Sequence, residues 1–211
     1  MSVVLSSAEQ RVVLHNVSWE TYERILSEHV DSRSPRFTFE NGELEIMSPS
    51  AERERYIWLI GDLVGVLADV MDLDAESLGS TTFRREEHER GFEPDCCFYF
   101  ENAVRVRGKD RLDLSVDPPP DLVVEVDVTN PSIAELPIFA EFGVAEVWRV
   151  RQERRSAFRL RAGQYQEVAE ARSFQASRQP RCRNCWVEVK TLGRTAWLRL
   201  ARAWAQEHYA Q

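Results

Sequence analysis

The stretch Asp-Leu-Val-Val-Glu-Val-Asp at residues 121–127 combines an apolar strand with three acidic side chains. Its apolar residues are mostly β-branched, which is typical of a strand in the interior of a sheet. Because side chains alternate along a strand, we expect Glu125 and Asp127 on the same side. This stretch therefore predicts a central strand with carboxylates on one face.

A second acidic residue beside an apolar run lies upstream, where Pro94-Asp95 precedes residues 96–100. If the two runs are neighbouring strands, Asp95 converges with Glu125 and Asp127. Carboxylates that leave water without partners destabilise a fold, so they need either solvent or a shared cation. Oxygen ligands of this kind favour Mg²⁺ or Mn²⁺. The alternative is that these residues are simply solvated side chains at strand ends.

Hydrophobic periodicity predicts a mixed β-sheet flanked by helices, an α/β (α+β) arrangement. An N-terminal helix and a hairpin around Asn41-Gly42 come before a long amphipathic helix, and Asn-Gly is a strong hairpin signal. Ser18 and Ser50 are placed to cap the two helices. Helices are predicted at 19–29, 51–71, 131–142 and 195–208, and strands at 36–40, 43–47, 96–100, 122–126, 144–150, 157–161, 165–168 and 186–189.

The chain of 211 residues is in the size range of a single domain. We divide it into an N-terminal helix and hairpin (1–50), a catalytic-type core (51–150) and a basic C-terminal extension of the same domain (151–211). No apolar run approaches the roughly 20 residues of a membrane span, and the opening residues show no secretory signal. We therefore expect a cytoplasmic protein without membrane contact.

The formal net charge of -8 conceals an asymmetry along the chain. Residues 149–211 carry 14 Lys or Arg against 5 Asp or Glu, whereas residues 1–148 carry 13 against 30. A basic end of this kind can face phosphate, because charge neutralisation dominates nonspecific nucleic-acid binding. The net charge nevertheless argues against a uniformly basic nucleic-acid coat, so the basic end only leaves room for a phosphate-facing surface, and a homodimer is left open.

Two further features have less specific interpretations. Cys182 and Cys185 form one CxxC motif without a second pair, so reduced structural thiols are favoured over zinc. The arginine-rich stretch 172–183 could contact phosphate, but a solvated loop is favoured. Four tryptophans fall within periodic segments and are predicted to be core residues: Trp58, Trp148, Trp186 and Trp197.

Several motifs occur in a fixed order between about residues 15 and 205. They are Gly-Glu-Leu-Glu-Ile-Met-Ser-Pro-Ser at 42–50, Pro94-Asp95, Pro-Asp-Leu-Val-Val-Glu-Val at 120–126, Leu136 to Phe139, Gly143-Val144, Glu146-Val147-Trp148 and Thr-Ala-Trp-Leu at 195–198. This ordered set resembles the Uma-type family of putative restriction endonucleases, which belongs to the PD-(D/E)XK nuclease-like superfamily.

The resemblance implies a restriction-endonuclease-like core with an N-terminal hairpin, a C-terminal helix and one acidic site. By this resemblance Asp95 and Glu125 hold Mg²⁺ or Mn²⁺ together with the backbone carbonyl of Val126. The ion would activate water for hydrolysis of DNA phosphodiester bonds. Glu54, in the first turn of the long helix, corresponds to a further acidic residue of the family; taken alone it is more typical of a surface carboxylate. Its neighbour Arg53 stands where many members carry histidine.

The lysine expected by this resemblance is missing. Its place in the second motif is Asp127, and its place on the following helix, used by many Uma-type members, aligns with Glu135. The two lysines, Lys109 and Lys190, lie elsewhere. Arginine cannot serve as a base because it keeps its proton, although Arg149 could stabilise phosphate charge. Losing one preorganised electrostatic partner commonly lowers a rate by on the order of 10²–10³.

Two functions from different classes follow. The first is a Mg²⁺-dependent endonuclease acting on DNA and weakened by loss of the lysine. Its candidate site contains Asp95, Glu125 and Glu54, with Asp127 and Glu135 at the lysine positions. The alternative is a cleavage-deficient protein of the nuclease fold that binds nucleic acid or regulates a partner.

Overall fold

The structure, a computed structural model, describes residues 9–29, 32, 34–109, 111–127, 134–151, 154–168 and 192–209. The helices are α1 (Trp19–Glu28), α2 (Ala51–Val70), α3 (Ala103–Val106), α4 (Glu135–Phe142) and α5 (Arg194–Tyr209), with a 3₁₀ turn at Glu86–His88. The strands are β1 (Gln10–Leu14), β2 (Arg36–Glu40), β3 (Glu43–Ser48), β4 (Glu76–Gly79), β5 (Phe83–Arg85), β6 (Arg90–Phe92), β7 (Cys96–Tyr99), β8 (Leu122–Asp127), β9 (Glu146–Arg151), β10 (Arg154–Arg161) and β11 (Gln164–Val168).

The strands form two sheets. The first sheet is antiparallel, in the order β1-β3-β2-β6-β5. The second sheet has the order β11-β10-β9-β8-β7-β4 and is mixed, because β8 and β9 run parallel. The predicted mixed sheet with flanking helices is confirmed. The sequence pattern predicts only one sheet. The strands β1, β5 and β6 extend the hairpin into a second sheet, and β5 and β6 are too brief, at three residues each, to show periodicity.

Helices cover both faces of the second sheet. Leu122, Val124 and Val126 of β8 pack with residues of α2 and α5. Val123 lies on the opposite face and packs with α4. This alternation confirms that Glu125 and Asp127 share the α4 face of the strand.

The local signals at the helix ends are confirmed. The Ser18 hydroxyl accepts from the backbone N–H of Thr21 at 3.2 Å, and that of Ser50 accepts from Arg53 at 3.1 Å. Gly143 ends α4 with φ +79°, a left-handed conformation that glycine adopts without strain. The predicted hairpin turns at Asn41-Gly42, and its strands pair as expected.

The prediction that Trp58 is a core residue is wrong, because 66% of its surface is exposed. It lies on the face of α2 that carries the exposed Arg55 and Gly65, while the opposite face packs on the sheet. Trp148 and Trp197 are buried as predicted. Several predictions concern residues that lie outside the described part of the chain. They are Trp186, the strand 186–189, the Cys182/Cys185 pair, the stretch 172–183 and the start of the helix predicted at 131–142.

The first sheet brings its own charged residues to the second. Helix α1 packs on it through Tyr22, whose ring stacks on Phe39 with centroids 4.8 Å apart. Arg36, at the first position of β2, and Glu9, just before β1, both reach the region where β7 begins. Over the described parts of the chain, no helix is both long and apolar enough to cross a membrane.

Candidate functional site

Asp95, immediately before β7, lies next to Glu125 of the neighbouring strand β8. Strands β7 and β8 pair antiparallel with Cys96 opposite Val124, and the same register continued by one residue places Asp95 opposite Glu125. The backbone N–H of Val126 donates to Asp95 Oδ2 at 2.6 Å. Asp95 and Glu125 are each 2% exposed, which rules out solvated strand-end side chains for both.

Arg53 fills the space between these carboxylates. Its Nε donates to both oxygens of Asp95, at 2.9 and 3.1 Å, and its Nη2 donates to Glu125 Oε2 at 3.5 Å. Its Nη1 donates to Glu9 Oε2 at 2.7 Å. The side chain is positioned by the first turn of α2, where Ser50 caps the backbone N–H of Arg53 itself. All three guanidinium nitrogens are therefore used by three different acidic residues.

A second arginine contacts Asp95 from the first sheet. Nη1 of Arg36 forms an ion pair with Asp95 Oδ1, and its Nη2 donates to Glu54 Oε1 at 3.1 Å. Burial, together with the nearby charge of Arg53, lowers the pKa of Arg36. The side chain of Glu54 is 43% exposed, so this carboxylate lies at the rim of the site and reaches it through Arg36.

Asp127 and Glu135, where the resemblance predicts lysine, share one arginine. Arg149 lies opposite Glu125 in the parallel pairing of β8 and β9. Its Nε is 3.3 Å from Asp127 Oδ2, and its Nη2 is 3.5 Å from Glu135 Oε2. Arg151, two residues further along β9, is 3.7 Å from the same Asp127 oxygen. Arg149 therefore supplies positive charge beside both Asp127 and Glu135.

Burial changes the acidity of two members of this cluster. Loss of solvation raises the pKa of Glu125, Arg53 opposes the rise and the charge of Asp127 adds to it, and together these effects bring the pKa to about 7. Loss of solvation also raises the pKa of Glu135 well above its ordinary value, helped by the negative charge of Glu125. Both glutamates hold protons more tightly than solvated glutamates do.

Other candidate residues lie apart from this cluster. Lys109 pairs with Asp117, and Lys190 is outside the described residues. Cys96 and Cys97 are buried free thiols, and burial raises the pKa of Cys97 to about 12, so its thiol stays protonated. Within the described ranges, no group of three or more His, Cys, Asp or Glu side chains is arranged to hold a metal ion by itself.

Sequence reasoning placed the acidic residues and missed most of their partners. The arginine at position 53 stood out only as a replacement for histidine, and its contact with three carboxylates had no sequence signal. Glu9 and Arg36 carried no signal at all, because both enter the cluster through the first sheet. Their separation in sequence from Asp95 and Arg53 hides the contact.

The Uma2 family, described as "Putative restriction endonuclease", matches residues 19–187. This chain belongs to the Uma2 family. The match covers most of the chain and includes every predicted site residue, so the resemblance drawn from the motifs is confirmed. No curated protein matches this Uma2 protein in sequence.

One solved structure similar to this Uma2 protein is described as a "putative nuclease belonging to DUF820 from Anabaena variabilis ATCC 29413". The two chains share 12% sequence identity, and their superposition has a TM-score of 0.47. The similarity covers 85% of this chain and 98% of that chain.

Proposed function

We propose that this Uma2 protein is an endonuclease that hydrolyses phosphodiester bonds in DNA, with Asp95 and Glu125 at the centre of its site. The observation that supports this most directly is that the two buried carboxylates lie side by side, Asp95 immediately before β7 and Glu125 on β8, where both contact one guanidinium group. Buried carboxylates held side by side are expensive for stability, and in the structure Arg53 and Arg36 supply the compensating positive charge where a divalent ion would bind. Family membership supports the reaction class.

The donor chemistry of the site fits Mg²⁺ or Mn²⁺. Carboxylate and backbone carbonyl oxygens are the ligands that both ions prefer.

Asp95, Glu125 and the carbonyl of Val126 are the groups proposed to hold the ion, which when bound would polarise phosphate and activate water. Arg151, which is half exposed beside Asp127, is available to orient a phosphate. Arg149 adds positive charge from the same strand. Asp127 and Glu135 are proposed to fix Arg149 in place, and Glu54 does the same for Arg36.

The proposal is tested by nicking of supercoiled plasmid in Mg²⁺ and in Mn²⁺. We expect wild type to nick and Asp95→Asn and Glu125→Gln to lose nicking by at least about 10²-fold. Asp117→Asn is the matched control, since Asp117 is also a buried aspartate paired with a cation but belongs to a different part of the chain. Nicking that survives in both site variants would contradict the proposal.

A second function is favoured by one specific observation. Asp95 is paired with two arginines, and both lysine positions are acidic, as expected of a protein that binds nucleic acid or regulates a partner without cutting. DNA binding measured by fluorescence anisotropy, with a steep salt dependence and no nicking in either metal, would support this alternative. Arg151→Ala should weaken that binding at every DNA sequence tested.

Two expectations about the protein's setting remain proposals. A cytoplasmic location is consistent with action on DNA and is tested by cell fractionation. A homodimer is tested by sedimentation equilibrium, alone and with a DNA duplex. Neither bears on the choice between the two functions above.

A further inference from the structure

Arg53 differs from the other arginines of the cluster in the number of acidic residues it joins. Its three nitrogens contact Asp95, Glu125 and Glu9, and its surface is 1% exposed. An arginine buried this completely is stable only when every donor is satisfied and its charge is balanced. Arg53 is therefore a cation that the chain itself supplies to these carboxylates.

The same oxygen atoms serve Arg53 and the proposed metal ion. Nε of Arg53 approaches both oxygens of Asp95, and Val126 N–H and Arg36 also contact that carboxylate. A divalent ion needs lone pairs of these oxygens at about 2.0–2.6 Å, where the N–H groups now point. A positive guanidinium beside the ion would also repel it. Arg53 in this position and a metal ion on Asp95 and Glu125 exclude each other.

We propose that Arg53 is a built-in counter-cation that competes with divalent metal for Asp95 and Glu125, and so sets the metal affinity of the site. The inference rests on the proposed function only in taking these two carboxylates as the metal ligands. Metal binding requires Arg53 to leave Asp95 first. Shortening Arg53 removes this competitor and leaves a vacant volume between three carboxylates.

The test is metal binding by the full chain, measured by calorimetry with Mn²⁺ and with Mg²⁺ and by the shift in melting temperature that each ion produces. We expect Arg53→Met to bind Mn²⁺ at least about tenfold more tightly than wild type, the change expected when one neighbouring charge is removed. The melting temperature of Arg53→Met should rise with Mn²⁺ more than that of wild type, since the ion replaces the lost cation.

Two further variants make the result specific. Arg55→Met is the matched control, because Arg55 lies on the same turn of α2 but is exposed, and its metal affinity should equal that of wild type. The double variant Arg53→Met/Glu125→Gln should lose the gain in affinity. If Arg53→Met does not fold without metal, Arg53→Lys is measured in the same way. Lysine has one ammonium nitrogen where arginine has three nitrogens, so it cannot contact all three carboxylates as Arg53 does. The Arg53→Lys protein should therefore bind metal more tightly than wild type.

Equal metal affinity of wild type and the folded Arg53 variant would overturn the inference. So would a gain in affinity that persists in the double variant, because the ion would then bind elsewhere. The plasmid assay separates this result from the proposed function. Tighter binding without nicking in any variant supports the inference and contradicts the endonuclease, whereas nicking by wild type with unchanged affinities supports the endonuclease and contradicts the inference.

Discussion

At the scale of single residues, Glu125 shows how burial sets chemistry. Its carboxyl is 2% exposed and lies beside Asp127, so its ionised form is costly even with Arg53 in contact. An acid whose pKa is higher in the folded state binds a proton more tightly there than in the unfolded chain. Its contribution to stability is therefore complete below a pH of about 4.5 and is lost as the pH rises through about 7.

We predict that Glu125→Gln removes this pH dependence. Without added metal and with a chelator present, the free energy of unfolding of wild type should fall relative to that of Glu125→Gln between pH 5 and pH 8. The expected difference is on the order of 3 kcal/mol, from the change in pKa. Urea unfolding of both proteins across this range measures it. Parallel stability curves for the two proteins would contradict the assignment of the raised pKa to Glu125.

Gly91 is a second residue whose identity the packing dictates. A Cβ atom at this position would lie 2.9 Å from Cζ of Tyr22 and closer still to its hydroxyl oxygen. Tyr22 is fully buried and stacked on Phe39, so it cannot move aside cheaply. We predict that Gly91→Ala lowers the free energy of unfolding by about 1–3 kcal/mol.

Gly61→Ala is the opposite case and the control for Gly91→Ala. Gly61 lies inside α2, and a Cβ atom there has nothing within 4 Å. Alanine is the better helix former by about 1 kcal/mol, so this change should stabilise the protein. Urea unfolding of the two variants side by side tests whether the free energy of unfolding falls in Gly91→Ala and rises in Gly61→Ala. Destabilisation by Gly61→Ala would show that packing around α2 is tighter than the structure indicates.

At the scale of elements, the parallel pairing of β8 and β9 arranges the second half of the cluster. The register places Arg149 opposite Glu125, from where its side chain reaches Asp127 on the same neighbouring strand and Glu135 at the start of α4. Two strands and one helix thus meet at a single guanidinium group. This contact places one positive charge beside both acidic side chains.

We predict a strong energetic coupling between Arg149 and Glu135. Arg149→Met leaves Glu135 without its cation and Asp127 with Arg151 alone, and should lower the free energy of unfolding by about 3–5 kcal/mol. In a Glu135→Gln background the same change should cost less, by about 0.5–3 kcal/mol. A double-mutant cycle by urea unfolding measures this difference.

Arg202→Met is the control for the Arg149 cycle, because Arg202 pairs with Asp69 at the surface. Its loss should change the free energy of unfolding by less than about 1 kcal/mol. A coupling energy near zero between Arg149 and Glu135 would indicate that the two side chains are balanced by other groups.

At the scale of the whole molecule, aromatic side chains join the two sheets. Phe92 of β6 packs against Phe139 and Phe142 of α4, with ring centroids 4.7 and 5.1 Å apart. Helix α4 in turn covers one face of the second sheet. The charged cluster lies at the same junction, since it takes residues from both sheets.

We predict that the chain unfolds in one cooperative transition, as expected of a single domain. Differential scanning calorimetry should give equal calorimetric and van't Hoff enthalpies. Phe92→Ala should lower the free energy of unfolding by about 3–5 kcal/mol and move the entire transition to lower temperature. A second transition that appears in wild type, or in Phe92→Ala alone, would show that the two sheets unfold separately.

The elements could be predicted from the sequence because their signals are local. Ser18 and Ser50 mark the starts of two helices, Asn41-Gly42 marks the hairpin, and the alternation in 121–127 identifies β8 with its two carboxylates on one face. Each of these patterns depends on residues within a few positions of one another. Trp58 was misplaced because a periodic segment does not reveal where its packed face ends.

The sequence by itself determined the strand that follows Asp95 and the strand that contains Glu125. Strand periodicity and the acidic residues that border an apolar run are local features of the sequence. Only the tertiary structure decided which cation meets them. Arg53 reaches Asp95 across 42 positions and Glu125 across 72, and these contacts exist only once two sheets and a helix have packed. Burial then makes every unpaired charge costly in free energy of folding. Each buried carboxylate must therefore pair with a cation that the tertiary structure brings next to it.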